Sequence, residues 1–234
     1  KKNDIEFDIE KENLAIETER KLQHLIQGIT DESPNPKHNF KKVISCESLV
    51  DAVNDFVNQV NIDLVIMGTK GQSNEQKELF GSKTIQVFKY VKCPVLAVPE
   101  KSEIEQPKKI LFPTDYMLPY KRRELKLLNC LSLEFKSQIT CLYISDFEDL
   151  SLRQIDNKRF LTESLSDSYL FFERTEVKNK AKAITEHINL QQINLLVMVN
   201  SRHSFLEDLL YRSTIDEIGL TTKIPFLVMQ NLSR

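Results

Sequence analysis

Three glycines placed at set distances from two apolar runs are the residues of this chain best suited to chemistry. Gly68 and Gly71 follow the run Ile62-Asp-Leu-Val-Ile-Met67, and after a gap of nine residues Gly81 and Ser82 open a stretch that closes in Lys92-Cys-Pro-Val-Leu-Ala-Val98. Glycine has no Cβ, so the backbone there can approach a bulky oxyanion closely. Amide N–H groups freed in a loop and at a helix start attract such an anion. Ser82 adds a hydroxyl, and Lys70 and Lys83 add positive charge that neither position requires. The chemistry on offer is phosphate binding. The plainer reading, that the glycines relieve a tight turn between strand and helix, stands beside it.

Other chemistry finds little support. His24, His38, His187 and His203 are scattered without the spacing of metal ligands. Cys46, Cys93, Cys130 and Cys141 form no CxxC pair, so neither a zinc site nor a disulfide framework is indicated. Three of the four sit within or beside apolar runs, the pattern of buried, inert thiols. Lys121-Arg-Arg123 has no interleaved aromatics and reads as a solvated helix start. A net charge of −2 over 234 residues gives no electrostatic case for nucleic acid or an anionic membrane. No apolar run approaches the ~20 residues that span a bilayer, and Lys1-Lys-Asn-Asp lacks the apolar core of a signal peptide. With 28% charged and 41% hydrophobic residues, the composition is that of a soluble cytoplasmic protein.

The elements that must position the glycines follow from periodicity. Residues 11–29 have a helical rhythm, Phe40 to Cys46 reads as a short strand, and Ser48 caps a helix that runs through Gln59. Ile62 to Met67 is a continuous apolar run, predicting a parallel strand buried on both faces. A helix from about Ser82 to Val91, with Ile85, Phe88 and Val91 inward, leads to a strand at Pro94 to Val98. After the polar stretch between Pro99 and Pro107, strands are predicted at 109–115, 138–145, 169–172, 193–199 and 225–229. Helices are predicted at 120–135, 177–188 and 204–218, with 160–165 ambiguous. Strands alternating with helices imply βαβ units around a parallel sheet.

The second half repeats the first. Ile62 to Met67 aligns with Ile193-Asn-Leu-Leu-Val-Met198 at a shift of 131 (62 to 193), which also carries Lys92 onto Lys223, Pro94 onto Pro225, Leu96 onto Leu227 and Ser82 onto Ser213. Gly68, Gly71 and Gly81 fall on Val199, Arg202 and Arg212, so the loop is lost in the second copy. The segment Lys109 to Asp115 has no counterpart in the first, which is expected to be shortened at its amino terminus.

Gly68-x-x-Gly71-x9-Gly81-Ser82 between two apolar strands, closing in Cys-Pro-Val-Leu-Ala-Val-Pro, resembles the ATP-binding signature of the universal stress protein family. Ile110-Leu-Phe-Pro-Thr-Asp115 is similar to that family's opening strand. The resemblance covers nearly the whole chain as a tandem pair. Residues 1–104 would form a first domain, incomplete but with its glycine loop, and residues 105–234 a complete second domain with a degenerate loop. It implies an α/β fold of two tandem Rossmann-like domains (adenine nucleotide alpha hydrolase-like), each a parallel five-stranded sheet in the order 3-2-1-4-5. The ligand crevice would lie between strands one and four.

By the same resemblance ATP, with or without Mg²⁺, would be held by Met67, Gly68, Lys70, Gly71, Gly81, Ser82 and Lys83. The family's strand-one aspartate has no counterpart in the first copy. Asp115 occupies its place in the second, facing Val199-Asn-Ser-Arg-His203 instead of a glycine loop, and reads as a turn or capping residue. No catalytic base stands out, so the implied role is a nucleotide-binding stress-response module, with weak ATPase activity left open. It would act by ligand-dependent conformation or partner binding. The alternative is a structural or interaction protein of the same fold that binds no nucleotide. The closing strands, Val95 to Val98 and Phe226 to Met229, are expected to pair across a pseudo-two-fold axis, mimicking a homodimer within one chain, with further dimerisation left open.

Overall fold

The protein is described here by a computed structural model over residues 2–69, 82–103, 105–176, 179–201, 206 and 223–231. The chain divides into two compact units, residues 1–48 and 49–234. The first holds helix α1 (Lys2–Glu32) and an irregular segment after it. Within this unit Lys42 Nζ bonds Glu19 Oε1 at 3.0 Å, and Asn35 Oδ1 accepts the Lys37 N–H in an Asx turn. The strand predicted at Phe40 to Cys46 is not formed. An extended segment becomes a strand only when a neighbour supplies a hydrogen-bond ladder, and none pairs with it among the described residues. Phe40, Val43 and Ile44 are accordingly exposed.

The second unit follows the alternation read from the sequence. Its elements are α2 (Leu49–Gln59), β1 (Val65–Gly68), α3 (Ser82–Tyr90), β2 (Val95–Val98), β3 (Lys109–Thr114), α4 (Arg122–Phe135), β4 (Gln138–Ile144), α5 (Leu152–Ser164), β5 (Tyr169–Thr175), α6 (Lys180–Gln191), β6 (Leu195–Asn200) and β7 (Phe226–Gln230). The ambiguous residues 160–165 end α5. The helix expected at 204–218 lies outside the described residues, apart from the helical Leu206.

The described strands form one sheet of seven, in the order β1-β2-β7-β6-β3-β4-β5, where five-stranded parallel sheets were expected. All neighbours are parallel except β2 and β7. The shift of 131 relates the pairings. Val65 opposite Val95 and Gly68 opposite Val98 become Leu196 opposite Phe226 and Val199 opposite Met229. The entry hydrogen bond Val65 N–H to Pro94 O (2.8 Å) likewise becomes Leu196 N–H to Pro225 O (3.0 Å). Where β2 meets β7 antiparallel, Leu96 faces Leu227, its own counterpart, with Val95–Val228 and Ala97–Phe226 on either side. This is the geometry of an isologous contact folded into a single chain.

Alternation on the inner strands feeds two apolar layers, one on each face of the sheet. Leu196 and Met198 join Phe88, Val95, Val228 and Ile184 on one face, whereas Leu195, Val197 and Val199 join Phe112, Leu125, Leu128 and Met229 on the other. One expectation fails here. β1 has four residues rather than six and is not buried on both faces, because it is the edge strand, and Ile66 is 65% exposed.

Candidate functional site

The glycine segment leaves β1 at Gly68 and re-enters regular structure where α3 begins at Ser82. A single side chain ties these two points together. Thr84, in the first turn of α3, donates its hydroxyl to the Thr69 carbonyl at 3.0 Å, and both threonines are buried. Thr69 N–H in turn donates to Val98 O at 3.2 Å, continuing the β1–β2 ladder one residue past the strand. The carboxyl end of β1 and the amino end of α3 are thereby fixed side by side, with residues 70–81 between them. A helix start presents unpaired N–H groups and the positive end of the helix dipole.

The far end of α3 is held as firmly. Asn54 of α2 donates to the Tyr90 carbonyl and accepts the Lys92 N–H, both at 3.0 Å. The Phe88 carbonyl receives two amides from the ends of β6 and β7: Asn200 Nδ2 at 2.8 Å and Gln230 Nε2 at 2.9 Å, with Asn200 also donating to Gln230 Oε1. The Phe88 ring meets Phe226 edge-on at 5.4 Å. The helix that opens at Ser82 is therefore clasped at three points.

Of the residues expected at the site, Met67 is half-buried, while Gly68 and Lys83 are exposed at the mouth between β1 and α3; Ser82 is the first residue of α3. Lys70, Gly71 and Gly81 lie outside the described residues. The fixing residues Thr69, Thr84, Asn54, Asn200 and Gln230 escaped the sequence reading. The available signal was polar residues set directly at the ends of apolar strands, as in Val199-Asn200 and Met229-Gln230.

The corresponding crevice of the later strands, between β3 and β6, is narrow among the described residues. Thr114, Asp115, Leu118 and Tyr120 on one side and Met198, Val199 and Leu206 on the other leave a cavity of about 10 Å³, room for one water at most. Asp115 is occupied with its own turn: its Oδ1 accepts the Met117 N–H at 2.9 Å and its carbonyl accepts Gln154 Nε2 at 2.7 Å. Tyr116 sits beside it at φ 56°, left-handed for a residue with a large side chain. That conformation is held by Thr114 Oγ1 on its N–H, Asn157 on its carbonyl and ring stacking on Tyr143 at 5.4 Å. Thr114 also shares a hydrogen bond with Tyr120, whose burial pushes its phenol well above the usual range.

Cys93 and Cys141 are buried, and burial pushes the Cys141 thiol up to about 12. Cys46 and Cys130 are exposed, so two thiols are buried rather than the three expected. Cys130 is on α4, and Cys46 in the irregular segment of the first unit. Among the described residues no three His, Cys, Asp or Glu side chains gather as a metal site, and no helix is long and apolar enough to cross a membrane.

The sequence profile of the Universal stress protein family matches residues 4–99. Over these residues the chain is similar to the universal stress protein family. The match takes in β1, the three glycines, α3 and β2. A likeness in fold to universal stress proteins extends further along the chain. A universal stress protein from Archaeoglobus fulgidus DSM 4304 superposes with a TM-score of 0.66 at 16% identity, covering 92% of this chain and 78% of that one. A functionally unknown protein from Pseudomonas aeruginosa PAO1 does so with a TM-score of 0.57 at 15% identity, covering 91% and 77%. At these identities the likeness shows the fold and carries no function with it. No curated protein matches the sequence.

Proposed function

We propose that this chain is a tandem universal stress protein whose first copy, residues 1–104, binds ATP at the Gly68–Gly81 segment, and whose second copy, residues 105–234, keeps the fold without the ligand. The observation that carries the reading is the Thr84–Thr69 hydrogen bond, which sets the start of α3 against the end of β1. Exposed Gly68 offers backbone without a Cβ, the helix start offers N–H groups, and Lys83 offers a cation. This donor set fits the oxygens of a triphosphate. Bound Mg²⁺ would add charge neutralisation at those oxygens. No step of hydrolysis is proposed. The module acts in the cytoplasm, by ligand-dependent conformation or partner binding.

The tandem arrangement is supported by the shared register of β1–β2 and β6–β7, and by the strand order of the second copy. Numbered from β3, its strands lie as 3-2-1-4-5. The Leu96–Leu227 contact then stands in for the dimer contact of a single-copy protein. The second reading, a non-nucleotide structural role, is supported for the second copy by the cavity of only about 10 Å³ that its described residues leave between β3 and β6. That volume is far below the several hundred Å³ of a small-molecule site.

Isothermal titration of the full-length protein with ATP and Mg²⁺ tests the reading. Saturable heat that Gly81→Arg abolishes is the expected result. An absence of heat, or heat indifferent to Gly81→Arg, leaves the structural reading for both copies.

A further inference from the structure

A second cavity, of about 460 Å³, lies at the opposite end of β1 from Gly68. Because β2 runs antiparallel to β7, the base of β2 at Pro94 lies beside the end of β7 at Gln230. Ile62, Asp63 and Lys92 form one wall of the cavity, and Glu124, Lys126 and Leu127 of α4 form the facing one. Its size is that of a small-molecule site.

The lining carries both signs of charge with incomplete pairing. The Glu124 side chain is only 1% exposed. Its Oε2 accepts the Lys121 N–H at 3.2 Å, but Oε1 accepts no hydrogen bond among the described residues, and Lys121 Nζ stands 3.9 Å away. A buried carboxylate oxygen without a donor is costly, and a ligand N–H relieves that cost. Burial also holds this carboxyl above its usual range. Asp63 and the ammonium groups of Lys92 and Lys126 form no ion pair among the described residues. Ile62 and Leu127 supply apolar surface to the lining, and Arg123 a further positive charge.

We propose that this junction cavity binds a zwitterionic α-amino acid with a large apolar side chain, its ammonium group on Glu124 and its carboxylate on Lys92 and Lys126. Both ligand charges then meet their opposites, and the apolar body covers Ile62 and Leu127. The site is separate from the glycine segment. It also abuts α3, because Gln230 both lines it and clasps the Phe88 carbonyl.

The chain contains no tryptophan, so the fluorescence anisotropy of L-tryptophan reports its own binding. Titrating the full chain into L-tryptophan is expected to give a saturable rise. Indole-3-propionate, which lacks the ammonium, and tryptamine, which lacks the carboxylate, should each bind roughly tenfold more weakly or worse. Lys126→Ala changes an exposed side chain, and Glu124→Gln keeps both size and helix-start hydrogen bonding. Each should weaken L-tryptophan about tenfold with an unchanged circular dichroism spectrum. ATP titrations of these variants should match the parent, and Gly81→Arg should leave the tryptophan signal intact, so the two sites fail separately. No saturation up to about 10 mM, indole-3-propionate binding as tightly as L-tryptophan, or indifference to both variants overturns the proposal.

Discussion

β1 and β6 have similar sequences and matching registers, yet only one of them is a core strand. Ile66 and Val197 stand 131 residues apart at equivalent positions, with equivalent partners in β2 and β7. Val197 is wholly buried and Ile66 is 65% exposed. An apolar run states what a strand can bury; its place in the sheet decides what it does bury. β6 has β7 and β3 beside it and an apolar layer on each face, whereas among the described residues β1 has a neighbour on one side only.

The sharpest way to break this comparison is to place the same charge in both strands. Val197→Asp buries an unpaired carboxylate and is expected to cost on the order of 4 kcal/mol or more, enough to unfold the second unit. Ile66→Asp, on the exposed face, should cost less than about 1 kcal/mol. Urea denaturation of both variants measures the difference. Equal losses would mean that a partner covers β1 in solution.

The ends of the two strand pairs differ in another way. Thr69 and Pro99 in the first correspond to Asn200 and Gln230 in the second. Thr69 receives a hydroxyl from its own helix, whereas Asn200 and Gln230 reach across to the Phe88 carbonyl. The later strand ends thus serve as a clasp for the earlier helix. Gln230→Leu removes one of the two amides on that buried carbonyl and is expected to cost about 1–3 kcal/mol. Amide exchange should show the loosening concentrated in α3. Loss spread evenly over β3 to β5 would mean that the clasp is ordinary packing.

The smallest effect contrasts two glutamates. Glu17 of α1 is fully exposed and held below its ordinary 4.5 by its hydrogen bond to Lys21, whereas burial raises Glu124 above that value. A raised carboxyl binds its proton more tightly when folded. It therefore favours folding below pH 4.5, and that contribution is lost as pH rises through the folded value. Glu124→Gln cannot ionise. Its stability relative to the parent should accordingly improve as pH rises from 4 to 7. Thermal melts across that range check the sign, and a parent that gains on the variant would show Lys121 outweighing burial.

Much of this was legible before any coordinates. The alternation of strand and helix and the turn at Asp115 follow from short-range pattern, and the shift of 131 from comparing the two halves. What could not be read depends on neighbours. The strand expected at Phe40 to Cys46 needed a ladder that only another segment can supply. The exposure of Ile66 needed the sheet order. The narrowness of the β3–β6 crevice among the described residues involves Leu118, Tyr120 and Leu206, none of which looks special in sequence. Glycine spacing revealed the candidate phosphate mouth, but nothing local marked Thr84 as the residue that fixes it.

The Leu96–Leu227 contact has a consequence for how such a molecule can change over generations. In a symmetric homodimer one codon writes both sides of the axis, so every substitution arrives twice and must suit both sites at once. Here the two leucines are separate codons, as are Gly68 and Val199, or Gly81 and Arg212. Each half is therefore free to drift alone while the contact between them is kept. One can keep glycines at positions where the other carries Val199 and Arg212.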